Sequence, residues 1–355
     1  MANERPILVA LPLDEQTADI VAIAAELGRR LGAPIVVLHA IPRRRLESER
    51  GIDLRIAEAR HELEPHIASL RANGLVLQDV MIELGHPAEE VIEAAPRLCA
   101  QMIVTGGGQP ATVRRWVVGS VAETIVRQAS IPVWVARGVS PVGRTLLCPI
   151  DLTAESRVGL ETAIDMAKRF QMSLSVITVL HDEGSNPHLA KDEGAIHAQL
   201  KALLATYDTQ GLQVSMTVTA GDPAEEIVNA AQDAGLLVVA TRGYDPLVRD
   251  WLGPVSSRAL SHSTCSALTI RHLERGHHER ERVISRLAEL HERAKLLLAD
   301  GRGAEALPML AHVAEQAATN ASVQETYARA LEQAGRAVEA TSRHELAALI
   351  RSRLD

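Results

Sequence analysis

Aromatic side chains are nearly missing: among 355 residues there are one Phe, three Tyr and three Trp, 2% of the chain. A surface that stacks the bases of a polynucleotide needs such platforms. Basic charge is short as well. Lys and Arg number 37 against 45 Asp and Glu, a formal net charge of −8. Both shortages argue against a nucleic-acid partner, and the one basic cluster, Ile41–Arg50 (IPRRRLESER), reads as a solvated loop after a strand. The three cysteines, Cys99, Cys148 and Cys265, are too few for a disulfide framework and lack metal-ligand spacing. His277 and His278 are neighbours, about 100° apart if helical, and do not make a shared metal site. No apolar run reaches the roughly 18 residues of a membrane span, and the opening MANERPILVALPLDEQ has no basic segment followed by a long apolar one. The expectation is a cytoplasmic, reducing setting with no membrane and no metal. Catalytic motifs are missing too. There is no H-E-x-x-H and no G-x-S-x-G, and the glycines of Thr105–Pro110 (TGGGQP) are not followed by the Lys of a P-loop. No dedicated enzyme is expected, and a weak ATPase ranks last.

What is present is aliphatic and repetitive. Apolar residues make up 46% of the chain, so its cores are filled by Ala, Val, Leu and Ile. Gly85–Ala95 (GHPAEEVIEAA) returns as Gly221–Ala231 (GDPAEEIVNAA), and the surroundings return with it. Ile7–Asp14 matches Thr145–Asp151, Pro34–Ile41 matches Leu174–Leu180, Gln101–Gly107 matches Leu236–Gly243, and Ile131–Arg137 matches Cys265–Arg271. Each half reads as five short, almost wholly apolar runs alternating with helical patterns. Such runs suit strands covered on both faces, and the alternation implies a parallel sheet. Pro87 and Pro223 sit in the first turn of a helix, with Asp222 a good N-cap and His86 a poor one. Gly138–Arg144 (GVSPVGR) links the halves.

After Arg271 the apolar spacing turns to three and four, with no strand-like run. A second repeat appears here. Ala294, Leu297, Gly301, Arg302, Glu305 and Ala306 recur 34 residues later as Ala328, Leu331, Gly335, Arg336, Glu339 and Ala340. This is the tetratricopeptide period, with small residues where paired helices touch and a Gly ending the first helix of each pair. The boundaries expected are 1–140 and 141–273 for the two α/β halves and 274–355 for a helical segment with repeats at 287–320 and 321–354. The stretch around Glu279–His291 is a candidate capping helix.

The strand–helix order, the G-[HD]-P-A-E-E opening of the third helix and the glycine loop after the fourth strand resemble the universal stress protein family, over about residues 5–137 and 143–272. The resemblance implies two flavodoxin-like, doubly wound parallel sheets with strand order 3-2-1-4-5. It also implies that the halves pair through their last strands as an intramolecular pseudo-dimer. ATP-binding members carry G-x2-G-x9-G-[ST] after strand four, where backbone N–H groups and a helix N-terminus cradle phosphate. In the first half Gly106, Gly119 and Ser120 fall in register with this motif, Gly107 lies close by, and Gln109 stands at the second glycine. In the second half Gly243 and Gly253 are kept, Ala240 and Pro254 depart from the pattern, and Ser256 or Ser257 remains within reach. Those members also place an Asp after strand one, near the adenosine. Asp151 matches. In the first half one alignment gives Asp14 and another puts Pro12 there. Arg114, Arg115, Arg242 and Arg249 lie near the loops, as do Trp116 and Trp251, better suited to packing.

Two readings follow from the resemblance. In one, the chain is a stress-response regulator that binds ATP, with Mg, and does no dedicated chemistry. In the other, the α/β halves are a non-nucleotide scaffold and the C-terminal helices recruit a protein partner.

Overall fold

In the computed structural model, residues 5–44, 47–108, 110–111, 115–116, 120–138, 140–180, 193–241, 252–271, 290–316 and 321–351 are described. The chain divides into two compact units, Met1–His272 and Leu273–Asp355. Among the described residues no helix is long and apolar enough to cross a membrane.

The first unit holds both α/β halves. The first half runs β1 (Ile7–Ala10), α1 (Thr17–Leu31), β2 (Ile35–Ile41), α2 (Glu49–Ala72), β3 (Leu77–Leu84), α3 (Pro87–Arg97) and β4 (Met102–Gly106). After a two-residue ribbon, β5 (Pro110–Ala111) and β6 (Arg115–Trp116), come α4 (Ser120–Gln128) and β7 (Val133–Ala136). The second half repeats the order as β8 (Thr145–Pro149), α5 (Ala154–Phe170), β9 (Ser173–Leu180), α6 (Glu193–Leu204), β10 (Val214–Ala220), α7 (Pro223–Ala231), β11 (Ala234–Thr241), α8 (Pro254–His262) and β12 (Ser266–Arg271). One ten-stranded sheet results, in the order β10-β9-β8-β11-β12-β7-β4-β1-β2-β3. Each half has the expected 3-2-1-4-5 order with parallel neighbours, and the halves meet where β7 and β12 pair antiparallel.

Apolar strands buried on both faces need helices on both faces. One layer, with α1, α2, α5 and α6, covers Val9, Val37, Val104, Trp134, Cys148, Val176 and Leu268; the other, with α3, α4, α7 and α8, covers Leu8, Ile103, Val133, Leu147, Leu237 and Ala267. Both layers run across the seam. Trp134 of β7 stacks on Phe170 of α5, centroids 5.8 Å apart, and Arg30 of α1 lies over the same Phe ring at 5.3 Å.

Backbone landmarks fix the equivalence of the halves. Leu11 N–H donates to Leu38 O (3.0 Å), and Ile150 N–H donates to Ile177 O (2.8 Å). Leu13 and Leu152 are both left-handed, with φ of 58° and 63°. The C-caps Gly32 and Gln171 are left-handed as well. With α1 and α5 aligned from both ends, Ile20 matches Gly159, and along the fourth strand Gly106 matches Ala240. The contacts are complementary. A Cβ on Gly106 would lie 3.0 Å from Ile20 Cδ1, and a Cβ on Gly159 would lie 3.0 Å from Ala240 Cβ. Each half thus keeps one side chain and one glycine at this helix–strand contact, in opposite places. At α7, Asp222 accepts from Glu225 N–H (2.9 Å), whereas His86 makes no side-chain cap on α3.

The second unit contains α9 (described over 290–299), α10 (Gly303–Gln316), α11 (Ala321–Gln333) and α12 (Ala337–Arg351). The turns between α9 and α10 and between α11 and α12 share one geometry. Gly301 and Gly335 have φ of 72° and 76°. Arg302 N–H donates to Leu297 O and Arg336 N–H to Leu331 O, both at 2.8 Å. Arg302–Glu305 and Arg336–Glu339 are matching ion pairs at 2.6 Å. Ala294, Ala306, Ala328 and Ala340 are buried, which lets the helices approach closely.

The glycine exchange is testable by a double-mutant cycle. Gly159→Ile alone should cost about 1–3 kcal/mol by overpacking against Ala240. Adding Ala240→Gly should recover most of that in chemical denaturation; a cycle with purely additive effects would contradict the complementarity.

Candidate functional site

Strand order dictates where a ligand can sit. β1 is the switch point of the first half, with β2 on one side and β4 on the other, and a crevice opens beyond their carboxyl ends. A cavity of about 580 Å³ lies there, lined from the β1–α1 turn (Pro12, Leu13, Asp14, Gln16), β2 and its exit (His39, Ile41, Pro42), α2 (Arg55, Ala59, Glu62), the start of α3 (Pro87, Val91) and the fourth-strand loop (Thr105, Gly106, Gly108) with the first residues of α4 (Val121, Ala122). Its walls are mostly apolar, with polar groups at a few points, the ordinary character of a small-molecule site.

His39 shows how the polar groups are fixed. Its Nδ1 lies 2.8 Å from Leu11 O. A carbonyl only accepts, so Nδ1 carries the hydrogen and a neutral ring leaves Nε2 as an acceptor. At the matching place in the second half, the Thr178 hydroxyl donates to Ile150 O at 2.8 Å. Both side chains tie down the turn after the first strand of their half, and the first half's residue also lines the cavity. Arg55 closes the β2 exit by donating to Pro42 O (3.0 Å) and pairing with Glu47 (2.8 Å).

The equivalence of the halves resolves the two alignments of the first turn. With Leu13 opposite Leu152, Pro12 stands opposite Asp151 and Asp14 opposite Thr153. Asp14 holds the turn that leads into α1: Oδ1 accepts from Gln16 N–H (2.9 Å), and its own N–H donates to Thr17 Oγ1 (3.0 Å). Asp14 nonetheless lines the cavity. Asp151 is exposed, and its Oδ1 accepts from the Thr153 hydroxyl (2.6 Å) and N–H (3.1 Å). Thr153 Oγ1 in turn accepts from Ser156 N–H (3.3 Å), capping α5.

The glycines of the fourth-strand loop have separate reasons. Gly106 makes room for Ile20 and for the Gln16 side chain, whose Oε1 would be 3.0 Å from an added Cβ. Gly107 makes room for Arg137: an added Cβ would lie 2.6 Å from both its Cγ and its Nε. Gly108 turns the chain with φ of 82°. α4 begins at Ser120. Gln109, Arg114, Gly119, Arg242, Gly243, Arg249, Trp251 and the pair His277–His278 lie outside the described residues, and Arg115 and Trp116 contribute only the backbone of β6. In the second half Gly253 is the N-cap of α8 with φ of −56°, Pro254 takes the first helical position and Ser256 is half-buried. The Ser257 hydroxyl accepts from Arg127 of the first half at 3.3 Å.

Arg137 and His39 were not among the sequence candidates. The signal for Arg137 was its match with Arg271 at the ends of the two last strands. Their side chains cross the seam in opposite directions. Arg137 donates to Leu260 O (2.7 Å) and Cys265 O (3.3 Å), at the end of α8 and just beyond it. Arg271 donates to Val126 O (3.2 Å) and Arg127 O at the end of α4. Each cation thus meets the negative end of the other half's helix. Burial lowers both guanidinium pKa values to about 10, so both stay charged at neutral pH. The buried Cys265 thiol is pushed up to about 11 by burial, so it is not a poised nucleophile.

The universal stress protein family model matches residues 4–137 and again 143–271. The chain belongs to the universal stress protein family. A universal stress protein of Mycolicibacterium smegmatis is 26% identical over 291 residues, covering 76% of this chain and 98% of the relative. The stress response protein NhaX of Bacillus subtilis is 38% identical over 82 residues, covering 23% of this chain and 45% of that protein. Among solved structures, a universal stress protein from Archaeoglobus fulgidus superposes with a TM-score of 0.62 at 18% identity, over 75% of this chain and 98% of that one. It shares the fold. This universal stress protein thus carries two family domains in tandem and a helical segment after them.

Thr153 reports on the second half's turn. Thr153→Ala removes the cap of α5 and one partner of Asp151, and should cost about 1 kcal/mol in denaturant unfolding. No measurable loss would show that the turn is held without it.

Proposed function

We propose that this tandem universal stress protein is a cytoplasmic stress-response regulator whose first half takes an adenine nucleotide in the cavity between β1, β2 and β4, without dedicated catalysis. The observation that carries the reading is the cavity itself, open at the switch point and bounded by Gly106, Gly108 and the start of α4. Apolar walls suit a base, and a glycine loop running toward a helix start suits phosphate. Gly106, Gly107, Gly119 and Ser120 are the proposed phosphate side, with Mg accompanying ATP, and Asp14 borders the same space. Asp151, Gly243, Gly253 and Ser256 make up the corresponding, weaker candidate in the second half. Nothing in the motif supplies a general base, so the proposal is binding and not hydrolysis.

A second reading rests on the C-terminal unit. The turns at Gly301 and Gly335 repeat with one geometry and one ion pair, as stacked tetratricopeptide-like repeats do, and such arrays recruit protein partners. If recruitment is the function, a chain ending at residue 273 should lose partners that the full chain retains. Equal recovery by both would count against the helices as the docking element.

Nucleotide binding is checked by melting. Millimolar ATP with Mg should raise the unfolding midpoint, since a ligand at a hundredfold excess over its Kd stabilises by about 2.7 kcal/mol. Pro42→Trp, at an exposed position of the cavity wall, should abolish the shift, and Pro12→Asp, which installs the second half's carboxylate, should enlarge it. No shift in the unmodified protein would sink the reading.

A further inference from the structure

Arg137 is 3% exposed, and among the described residues its side-chain partners are two backbone carbonyls and no carboxylate. Its Nε is buried without a partner. A buried cation lacking a carboxylate partner is costly to hold. Its location is informative. β4 and β7 are neighbours with Gly106 opposite Ala136, and Gly107 N–H donates to Ala136 O at 3.0 Å. Arg137 therefore follows β7 beside the point where Gly107 follows β4. Its Cγ and Nε lie against Gly107, so close that a Cβ there would push the Arg137 side chain aside. Gly106 and Gly108, on either side of that residue, both face the cavity.

The second half provides an internal comparison. Thr241 stands where Gly107 does, and it is buried with its hydroxyl on Ile270 O (3.4 Å). A side chain fits at that place, whereas at Gly107 the Arg137 side chain fills it.

We propose that Arg137 is a phosphate-positioning residue: held in place by the carbonyls of the second half, its guanidinium lies beneath Gly107 and draws the phosphates of a bound nucleotide to the loop at residues 106–108. This rests on the nucleotide reading of the cavity. The charge acts through the thin glycine backbone, and the phosphate supplies a counter-charge that none of the side-chain partners of Arg137 among the described residues provides. Removing that unit charge, in a partly screened setting, weakens phosphate binding by roughly tenfold. The carbonyls of Leu260 and Cys265 that orient the guanidinium make the second half part of the first half's site.

The test compares ATP with adenosine on the full chain by calorimetric titration at low salt. Arg137→Met should weaken ATP by roughly tenfold and leave adenosine unchanged, while Arg137→Lys should keep most of the ATP affinity. Arg271→Met, which removes the matching seam contact, should lower the melting temperature and leave the ATP-to-adenosine ratio alone. Equal weakening of both ligands in Arg137→Met, or an unchanged ratio, would overturn the proposal. Where Arg137→Met does not fold, Gly107→Ala displaces the guanidinium and must lower the same ratio. A native chain that binds neither ligand overturns the reading of the cavity and this proposal with it. Binding of both ligands with an unmoved ratio overturns this proposal alone.

Discussion

The antiparallel pairing of β7 with β12 is the contact on which the first unit depends. Ala267 lies opposite Val135, Leu268 opposite Trp134 and Thr269 opposite Val133. Without it each half would present an uncovered strand edge of almost wholly buried residues, which proteins rarely tolerate. With it the two apolar layers become continuous, and Trp134 of one half can stack on Phe170 of the other. Ser266 completes the ladder where strand pairing ends, accepting from Arg137 N–H at 3.1 Å and donating to Arg137 O at 3.2 Å. The crossed arginines follow from the same geometry, because two-fold pairing brings each strand end to the other half's fourth helix.

Much of the fold was legible because parallel strands buried on both faces leave an unmistakable apolar run, and because those runs occur twice. The last-strand pairing was implied by family resemblance and not by any residue pattern, since β7 and β12 carry no mark of which edge they meet. Local chemistry was legible as well: Asp222 caps α7 and His86 does not cap α3. The order of the first turn was not. The string P-L-D invited an alignment through Asp14, but the left-handed Leu13 and Leu152 are backbone facts that no side-chain pattern announced. They place Pro12, not Asp14, opposite Asp151.

The glycines show the same limit more sharply. Gly106 and Gly107 read in sequence as two members of one flexible loop. In the fold one is empty for Ile20 and Gln16, and the other for Arg137. Each reason lies in a side chain distant in sequence, so neither can be found by scanning the loop. The exchange of Ile20 and Gly106 for Gly159 and Ala240 also changes how the second half is read. Its missing first glycine is matched by a glycine on the facing helix, so packing alone accounts for the alanine.

The seam also sets the order in which this chain becomes a protein. Arg137 and Ser266, which close the ladder on each other, are 129 residues apart. During synthesis from the amino end, all other strands of the first half are complete long before β12 exists. Until residue 271 has been made, β7 is an apolar edge waiting for its partner, a long-range pairing of the kind that folds slowly and exposes chains to association. Another copy at the same stage presents the same edge. The tandem arrangement answers this by tethering: the matching strand arrives on the same chain, at a local concentration that a free neighbour does not reach.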